Sequence, residues 1–533
     1  MSKDSFLKGA LILTVAGMVV KVIGSVNRIL LSRLLGGEGI GLYQMAYPIY
    51  LLALSISSAG IPVAISIIVA EKIALRDYRG ANRVFRISLA VLAATGIVFT
   101  FLLYYGAGWL IEQHFVRDAR AYLAIVALAP AIFFVTVLSS FRGYFQGWQM
   151  MAPTAVSQIF EQLLRVITMV ALAYILLPRG LDWAAAGASF GAAPGAMAGL
   201  LVLVYFYWRH RPGLKKDMEN QPTLQQESGV SIIRRIVKLA LPVSLANIML
   251  PVVSSIDLLI VPARLEVAGH TVEQATALFG YLTGMAVPLV NMATILTASL
   301  AASLVPAVSE AYTLGDKQGI YRRTSTAMRI SNLITIPSFV GMWLLATPIS
   351  QMLYGTPEAG VSIAIMAVGI FLLGIHQVTT GVLQGLGYTA IPVINMGISA
   401  VVKIILSWIL TAIPELGIKG AAWASVADFG VAALLNLFFI YRYIGYTLDT
   451  KDILKTAAAA AVMGGVALFT YNGMMGMIHQ NNLATLIAIL AGGGVFAIVI
   501  LLVGGVEARD IEQIPKVGTQ LAALLRKLRL LRG

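Results

Sequence analysis

Residues 8–36 read KGALILTVAGMVVKVIGSVNRILLSRLLG. As a helix rising 1.5 Å per residue the stretch reaches about 40 Å, enough to cross a hydrocarbon core about 30 Å thick. It nonetheless carries Lys21, Arg28 and Arg33. Thr14, Lys21 and Arg28 recur at seven-residue spacing and fall close to one line, with Gly17, Ser25 and Ser32 on the same side. A cation near mid-membrane costs about 2.5–3.5 kcal/mol on insertion scales, so this stripe must face water, a partner or an anionic ligand. Lys21 and Arg28 can pair with the intramembrane acids Glu161, Asp257 and Asp428, or they can line a cationic cavity for an anionic substrate. The cavity is the preferred reading. Arg33 lies off the stripe near the far end, where snorkelling to the interface accounts for it.

The whole chain is built of such segments. Its 533 residues are 59% hydrophobic and only 12% charged, with a mean hydropathy of +0.85. That composition demands an all-α polytopic membrane protein. The first segment is too long, and too rich in internal cations, for a cleavable signal peptide. Cysteine is absent, which excludes disulfides and thiolate metal sites. The five histidines, His114, His210, His270, His376 and His479, show no metal-ligand spacing. No phosphate-binding GxxxxGK[ST] loop occurs, so no ATP hydrolysis, cofactor or metal is expected.

About fourteen spans are predicted: 8–35, 43–70, 85–110, 121–145, 153–177, 184–208, 233–262, 276–305, 328–353, 361–386, 390–413, 419–443, 453–477 and 484–505. Lys and Arg sort to one side of these spans. Lys72, Arg76, Arg79, Arg83, Arg86, Arg142, Arg209, Arg234, Arg322 and the tail share a face opposed only by Arg117, Arg120, Arg179, Arg264 and Lys419. The positive-inside rule then places both termini in the cytoplasm. The net charge of +14 is thus a topology signal and an attraction to anionic lipid, not a nucleic-acid surface. The polar run 209–231 is expected to be a mobile cytoplasmic linker. Residues 507–533 place leucines on one face among Arg526, Lys527, Arg529 and Arg532, as in an amphipathic helix lying on the membrane.

The chain repeats itself at an offset near 240. TGVLQGLGYTAIP (380–392) echoes SFRGYFQGWQMMAP (140–153), and the interval from Gln146 to Arg165 equals that from Gln384 to Lys403. Two six-helix lobes, 1–208 and 232–445, are expected, related by a pseudo-twofold axis along the membrane normal, with helices 13 and 14 (446–506) added. Gly187, Gly191, Gly195 and Gly199 form a small-residue packing face. Gly60 and Pro62 interrupt the second helix, as a hinge or a tolerated kink.

Among the interior polar groups, Glu161 and Arg165 stand four apart and can pair on one helix. Lys403 is the repeat equivalent of Arg165 and has Ser399 where Glu161 would be. Asp257 and Arg264 share a face, and Asp428 can bind a cation or neutralise Lys403. His376 and Gln377 read as satisfied interior groups. The outer-loop acids Glu112, Asp118 and Glu266 read as solvated loop ends.

SSAGIPVAISIIVAEK (57–72), RGYFQGWQMMAPTAVSQIFEQLLRV (142–166) and LTASLAASLVPAVSEA (296–311) together resemble the polysaccharide-transporter branch of the MOP superfamily. Within it they are most similar to the group of stage V sporulation protein B and the MurJ-type lipid II flippases of Firmicutes. The resemblance implies a two-lobed flippase that carries an undecaprenyl-pyrophosphate-linked saccharide, such as lipid II, by alternating access. It further implies that Lys21, Asn27 and Arg28 line the cavity. Gram-negative MurJ proteins add arginines in helices 2 and 8, whereas 43–70 and 276–305 hold no Lys or Arg here. The partners implied are the lipid-linked substrate, membrane lipids, and a coupling cation or the cell-wall synthesis machinery. A drug/cation antiporter of the same superfamily, which wants an acid-dominated cavity, and a membrane transferase acting on lipid-linked sugars are the alternatives. The energy source, membrane potential or a cation near Asp257 or Asp428, stays open.

Overall fold

In the computed structural model, residues 3–58, 60–219, 221 and 227–505 are described. The amphipathic tail expected at 507–533 lies outside them. The described chain is helical throughout, with no strand among these residues. Thirteen helices are long and apolar enough to cross a membrane, or fourteen when one bent pair counts as a single span. This is a polytopic all-α membrane protein.

In chain order come α1 (Lys3–Ser58), α2 (Ile61–Ala74), α3 (Tyr78–Glu112), α4 (Tyr122–Gly147), α5 (Met151–Leu176), α6 (Leu181–Phe190), α7 (Ala192–Glu219) and α8 (Gly229–Val267). There follow α9 (Val272–Phe279), α10 (Val287–Ala293), α11 (Ile295–Thr313), α12 (Lys317–Leu344) and α13 (Ala346–Tyr354). The last are α14 (Gly360–Gly385), α15 (Ala390–Leu410), α16 (Ile418–Ile444), α17 (Thr450–Ile478) and α18 (Asn481–Leu502). Every predicted span has a counterpart.

Contacts divide the chain into two compact units. One comprises the described residues up to Glu266 with His270–Gly280, the other Val267–Gly269 and the described residues from Tyr281 on. In the first unit α1 is two helices meeting at Gly36, whose φ of 64° and ψ of −171° are not helical. A straight helix would hold Arg28 and Gln44 about 24 Å apart. Instead Arg28 Nη1 donates to Gln44 Oε1 at 2.9 Å, so the chain doubles back at Gly36. The second arm breaks again at Gly60, which adopts φ 75° before Pro62 starts α2. Glycine is required there twice over, because a Cβ would also sit 2.5 Å from the Ala240 carbonyl.

That contact shows why α8, expected in a lobe spanning 232–445, groups by contact with the first unit. Ile232, Ile236 and Ala240 share one buried cluster with Ile65, Val84, Phe85 and Leu138. Within the run 209–231, expected to be a mobile linker, helix α7 continues through Glu219, and the described residues Met218, Gln221 and Glu227 have polar partners in α2 and α3 and the turn between them. Arg79 donates through Nε to the Met218 carbonyl and through its backbone N–H to Gln221 Oε1, both at 3.0 Å. Gln221 Nε2 donates to Asp77 Oδ1, and Lys72 bridges Asp77 and Glu227.

The repeat survives at atomic detail within each unit. Helix α4 ends in bonds from Trp148 N to Tyr144 O, Gln149 N to Gln146 O and Met150 N to Phe145 O. Helix α14 ends in the same three bonds 238 residues later, at Leu386, Gly387 and Tyr388. Asp77 caps α3 by accepting from Gly80 N at 2.8 Å, and Asp316 caps α12 by accepting from Gly319 N at 2.7 Å. Gly147 packs on Val69 as Gly385 packs on Val308.

Candidate functional site

The doubled-back arms of α1 bring Arg28 against a row of aromatic residues. Tyr43, Tyr47 and Tyr50 recur at helical spacing: Tyr43 stacks on Tyr47 with ring centroids 5.5 Å apart, and Tyr50 lies tilted against Tyr47 at 5.9 Å. The Arg28 guanidinium lies 5.7 Å from the Tyr43 ring centroid and 5.8 Å from that of Tyr47, within cation–π range. Its hydrogen bond to Gln44 adds a third neutral partner. Lys21, two turns earlier, is exposed. Among the described residues no carboxylate pairs with either cation. Asn27 is buried and donates to Met169 Sδ of α5 at 3.5 Å, while its own carbonyl Oδ1 is buried without a hydrogen bond.

Helix α5 carries an ion pair of its own. Glu161 accepts from Arg165 Nη2 at 2.7 Å and from Arg142 Nη2 of α4 at 2.8 Å. Ser157 also accepts from Arg142. Two arginines therefore share one carboxylate, and the three side chains are only 14–19% exposed. Such a charge is tolerable in the interior only when its geometry is tight and its hydrogen bonds are made. The glycine stripe supplies that tightness. A Cβ on Gly195 would lie 2.7 Å from Arg165 Cβ and 2.8 Å from Glu161 O, and one on Gly199 would lie 3.1 Å from Glu161 Cβ. The small-residue face of α6–α7 thus seats the backbone of α5 at the turn that holds the pair.

At one end of this unit Asp118 is 2% exposed. It accepts from Arg120 Nε at 3.0 Å, Arg120 Nη2 at 2.7 Å and Thr276 Oγ1 at 2.8 Å. Arg120 Nη1 reaches Glu38 at 2.6 Å. Burial opposes ionisation of Asp118, yet the hydrogen bonds from the Arg120 side chain, Thr276 and the Arg120 backbone N–H outweigh it and hold the carboxyl below its usual range. This corrects the expectation of a solvated loop end. A buried carboxylate persists as an anion when charge-assisted donors surround it. Glu266 is paired as well, 3.8 Å from Arg117.

In the second unit Lys403 is 8% exposed on α15. Ser399 Oγ, one turn before it, donates to Asp428 Oδ1 of α16 at 2.6 Å. Further along, Asn395 donates to Asn436 Oδ1 at 2.8 Å, and Asn436 Nδ2 reaches His376 Nδ1, Thr379 Oγ1 and Thr380 Oγ1 at 3.0–3.3 Å. Gln377 accepts from Thr297. His376 and Gln377 are satisfied interior groups, as expected. Asp257 and Arg264 lie half-buried on α8.

The model of the polysaccharide biosynthesis protein family matches residues 6–312, more than half of the chain. The chain belongs to the polysaccharide biosynthesis protein family. The MatE model matches residues 242–409. This family member is 32% identical over 522 residues to stage V sporulation protein B of Bacillus subtilis (strain 168), covering 97% of this chain and 99% of that protein. It is 28% identical over 519 residues to the lipid II flippase MurJ of the same organism, covering 92% and 94%. A solved structure of lipid II flippase MurJ in an inward closed conformation shares the fold, with a TM-score of 0.68 at 17% identity, over 92% of this chain and 98% of that one.

In this polysaccharide biosynthesis protein, then, Lys21, Asn27, Arg28, Glu161 and Arg165 belong to the first unit, whereas Lys403 and Asp428 belong to the second. Three participants escaped the sequence reading. The tyrosines of YQMAYPIY (43–50) were legible as an aromatic face at i, i+4 and i+7. Arg142 had been sorted with the basic loops but lies inside α4. Gln44 carried no signal of its own.

Proposed function

We propose that this protein is a flippase that moves an undecaprenyl-pyrophosphate-linked saccharide, lipid II or a similar cell-wall precursor, across the bacterial cytoplasmic membrane by alternating access, without chemical turnover. The observation that carries this reading is Arg28, a membrane-segment cation whose partners, Gln44, Tyr43 and Tyr47, are all neutral. Arg142 and Arg165, by contrast, share Glu161. A pyrophosphate cannot enter hydrocarbon bare, and Lys21 and Arg28 offer it charge-assisted hydrogen bonds while the prenyl tail stays in lipid. Asn27 adds a buried, unbonded carbonyl beside them, fit to accept from a saccharide hydroxyl. The likeness to stage V sporulation protein B and to MurJ of Bacillus subtilis supports the substrate class.

Arg264 and Lys403 are assigned further substrate contacts, and Glu161, Arg165, Asp257 and Asp428 the balancing or coupling of charge. The breaks at Gly60 and Pro62 serve as the hinge. The engagement of Glu161 by two arginines argues against a cation-binding role for that acid, as an antiporter would need.

Reconstitution in vesicles with a labelled undecaprenyl-pyrophosphate saccharide tests the reading. Leaflet movement with the substrate chemically intact is expected. Arg28→Ala should slow it about tenfold or more, since a hydrogen bond to a charged group contributes about 1.5–3 kcal/mol, and Arg28→Lys should keep part of the rate. A well-folded Arg28→Ala protein that transports normally, or breakdown of the substrate, sinks the proposal.

A further inference from the structure

Arg165 has more binding capacity than its known partner uses. Glu161 engages only one of its amino groups, Nη2, and divides its charge with Arg142. The Arg165 Nε–H is buried and has no hydrogen bond. Buried guanidinium donors are rarely left unmade, because each forfeits the water it gave up. The three charges also sum to +1, an excess that interior segments hold only against a compensating anion. Arg165 lies within electrostatic reach of Tyr43, Tyr47 and Tyr50, the same row that Arg28 approaches at Tyr43 and Tyr47. One tyrosine, Tyr43, is within reach of both guanidiniums.

We propose that Arg165 is a second anion ligand, so that Arg28 and Arg165 together grip the two phosphates of a diphosphate headgroup across the tyrosine row, and Arg165 sets the preference for a lipid diphosphate over a monophosphate. This rests on the lipid-pyrophosphate reading above. It also gives the α4–α5 triad a purpose. Arg142 holds Glu161, Glu161 holds the Arg165 Nη2 group, and the unbonded Nε–H is left to donate to a ligand, since a planar guanidinium can hold two partners at once.

The test measures affinity of the full-length protein in nanodiscs for undecaprenyl pyrophosphate and for undecaprenyl monophosphate, by native mass spectrometry. The wild type should prefer the diphosphate by about tenfold or more, the range expected of one charge-assisted hydrogen bond. Arg165→Gln leaves Glu161 paired with Arg142, so the fold should hold. In that variant the preference should fall to about one while monophosphate affinity stays within about twofold. If Arg165→Gln does not fold, Arg165→Lys at matched melting temperature must still show the preference reduced several-fold, because the fork is gone. A wild type without preference overturns the inference, as does either folded variant that keeps the full ratio. Arg28→Ala separates the two readings, since binding of both lipids should weaken there. Unchanged binding of both would defeat the flippase site itself, whereas weakened binding with an intact Arg165→Gln ratio would defeat only the role of Arg165.

Discussion

Helices α5 and α15 carry Arg165 and Lys403 at equivalent places 238 residues apart, yet they settle their charges differently. On α5 the acid stands one turn back on the same helix, and it is shared with Arg142 from α4. On α15 the same position is Ser399, which borrows Asp428 from α16. Where the first unit sets Arg142 against Ser157 and Glu161, the second sets Thr380 against Asn436 and Asn395. The two units repeat their turns, caps and glycine contacts but not their electrostatics. Backbone geometry is specified by hydrogen bonds and close packing that both copies need. Charge is not so constrained, and in the α4–α5 triad of the first unit two arginines share one carboxylate.

The largest test of this contrast removes the acids. Glu161→Ala leaves two interior arginines uncompensated and should cost about 3–5 kcal/mol. Asp428→Ala should cost about 1–3 kcal/mol, as for a hydrogen bond left unmade at Ser399. Thermal unfolding of the purified variants measures both, and equal losses would break the distinction.

The ends of the units come next. Asp118 precedes a short helical turn (Ala119–Ala121) as Thr356 precedes its counterpart (Pro357–Ala359), but only Asp118 caps its turn through a side chain. Its depressed folded pKa contributes stability that is fully present above the unfolded carboxylate value, about 4, and is lost as pH falls through the folded value. Asp118→Asn should cost about 1.5–3 kcal/mol at neutral pH and flatten the acid limb of the stability profile. Thr356→Val should leave that limb as it is.

Packing between the helices should matter a little less. Gly195→Ala forces a methyl onto Arg165 and the Glu161 carbonyl and should cost about 1–3 kcal/mol. The equivalent residue in the second unit is Ala433, buried in its own cluster, and Ala433→Gly should cost only about 1 kcal/mol. Unfolding in detergent reads both, and a harmless Gly195→Ala would show that the glycine face does not position α5.

The smallest expected effect concerns the shared turn. Gln149 and Gly387 both adopt positive φ, 56° and 88°, where a non-glycine residue pays roughly 1–2 kcal/mol. Gln149→Gly should therefore stabilise by up to about 1 kcal/mol and Gly387→Ala should destabilise by a similar amount. Shifts of the same sign in the two variants would mean that the turns are not equivalent.

Sequence by itself determined the membrane class, the spans, the break at Gly60 and the repeat. Each is a local property, carried by the hydropathy of about twenty residues, by the permitted φ of a glycine or by a motif recurring at fixed offset. It also marked Lys21 and Arg28, because a cation on an apolar helix is conspicuous wherever the helix packs. Which cations are neutralised was decided only by the tertiary structure. Glu161 meets Arg142 across 19 residues, and Asp118 meets Thr276 across 158. Such meetings depend on which helices become neighbours and how each is rotated about its axis. Hydropathy is blind to both, so a loop acid read as solvated, Asp118, proved buried. Arg28 kept only neutral company for the same reason: the fold at Gly36 turned Gln44 and the tyrosines toward it, and no acid.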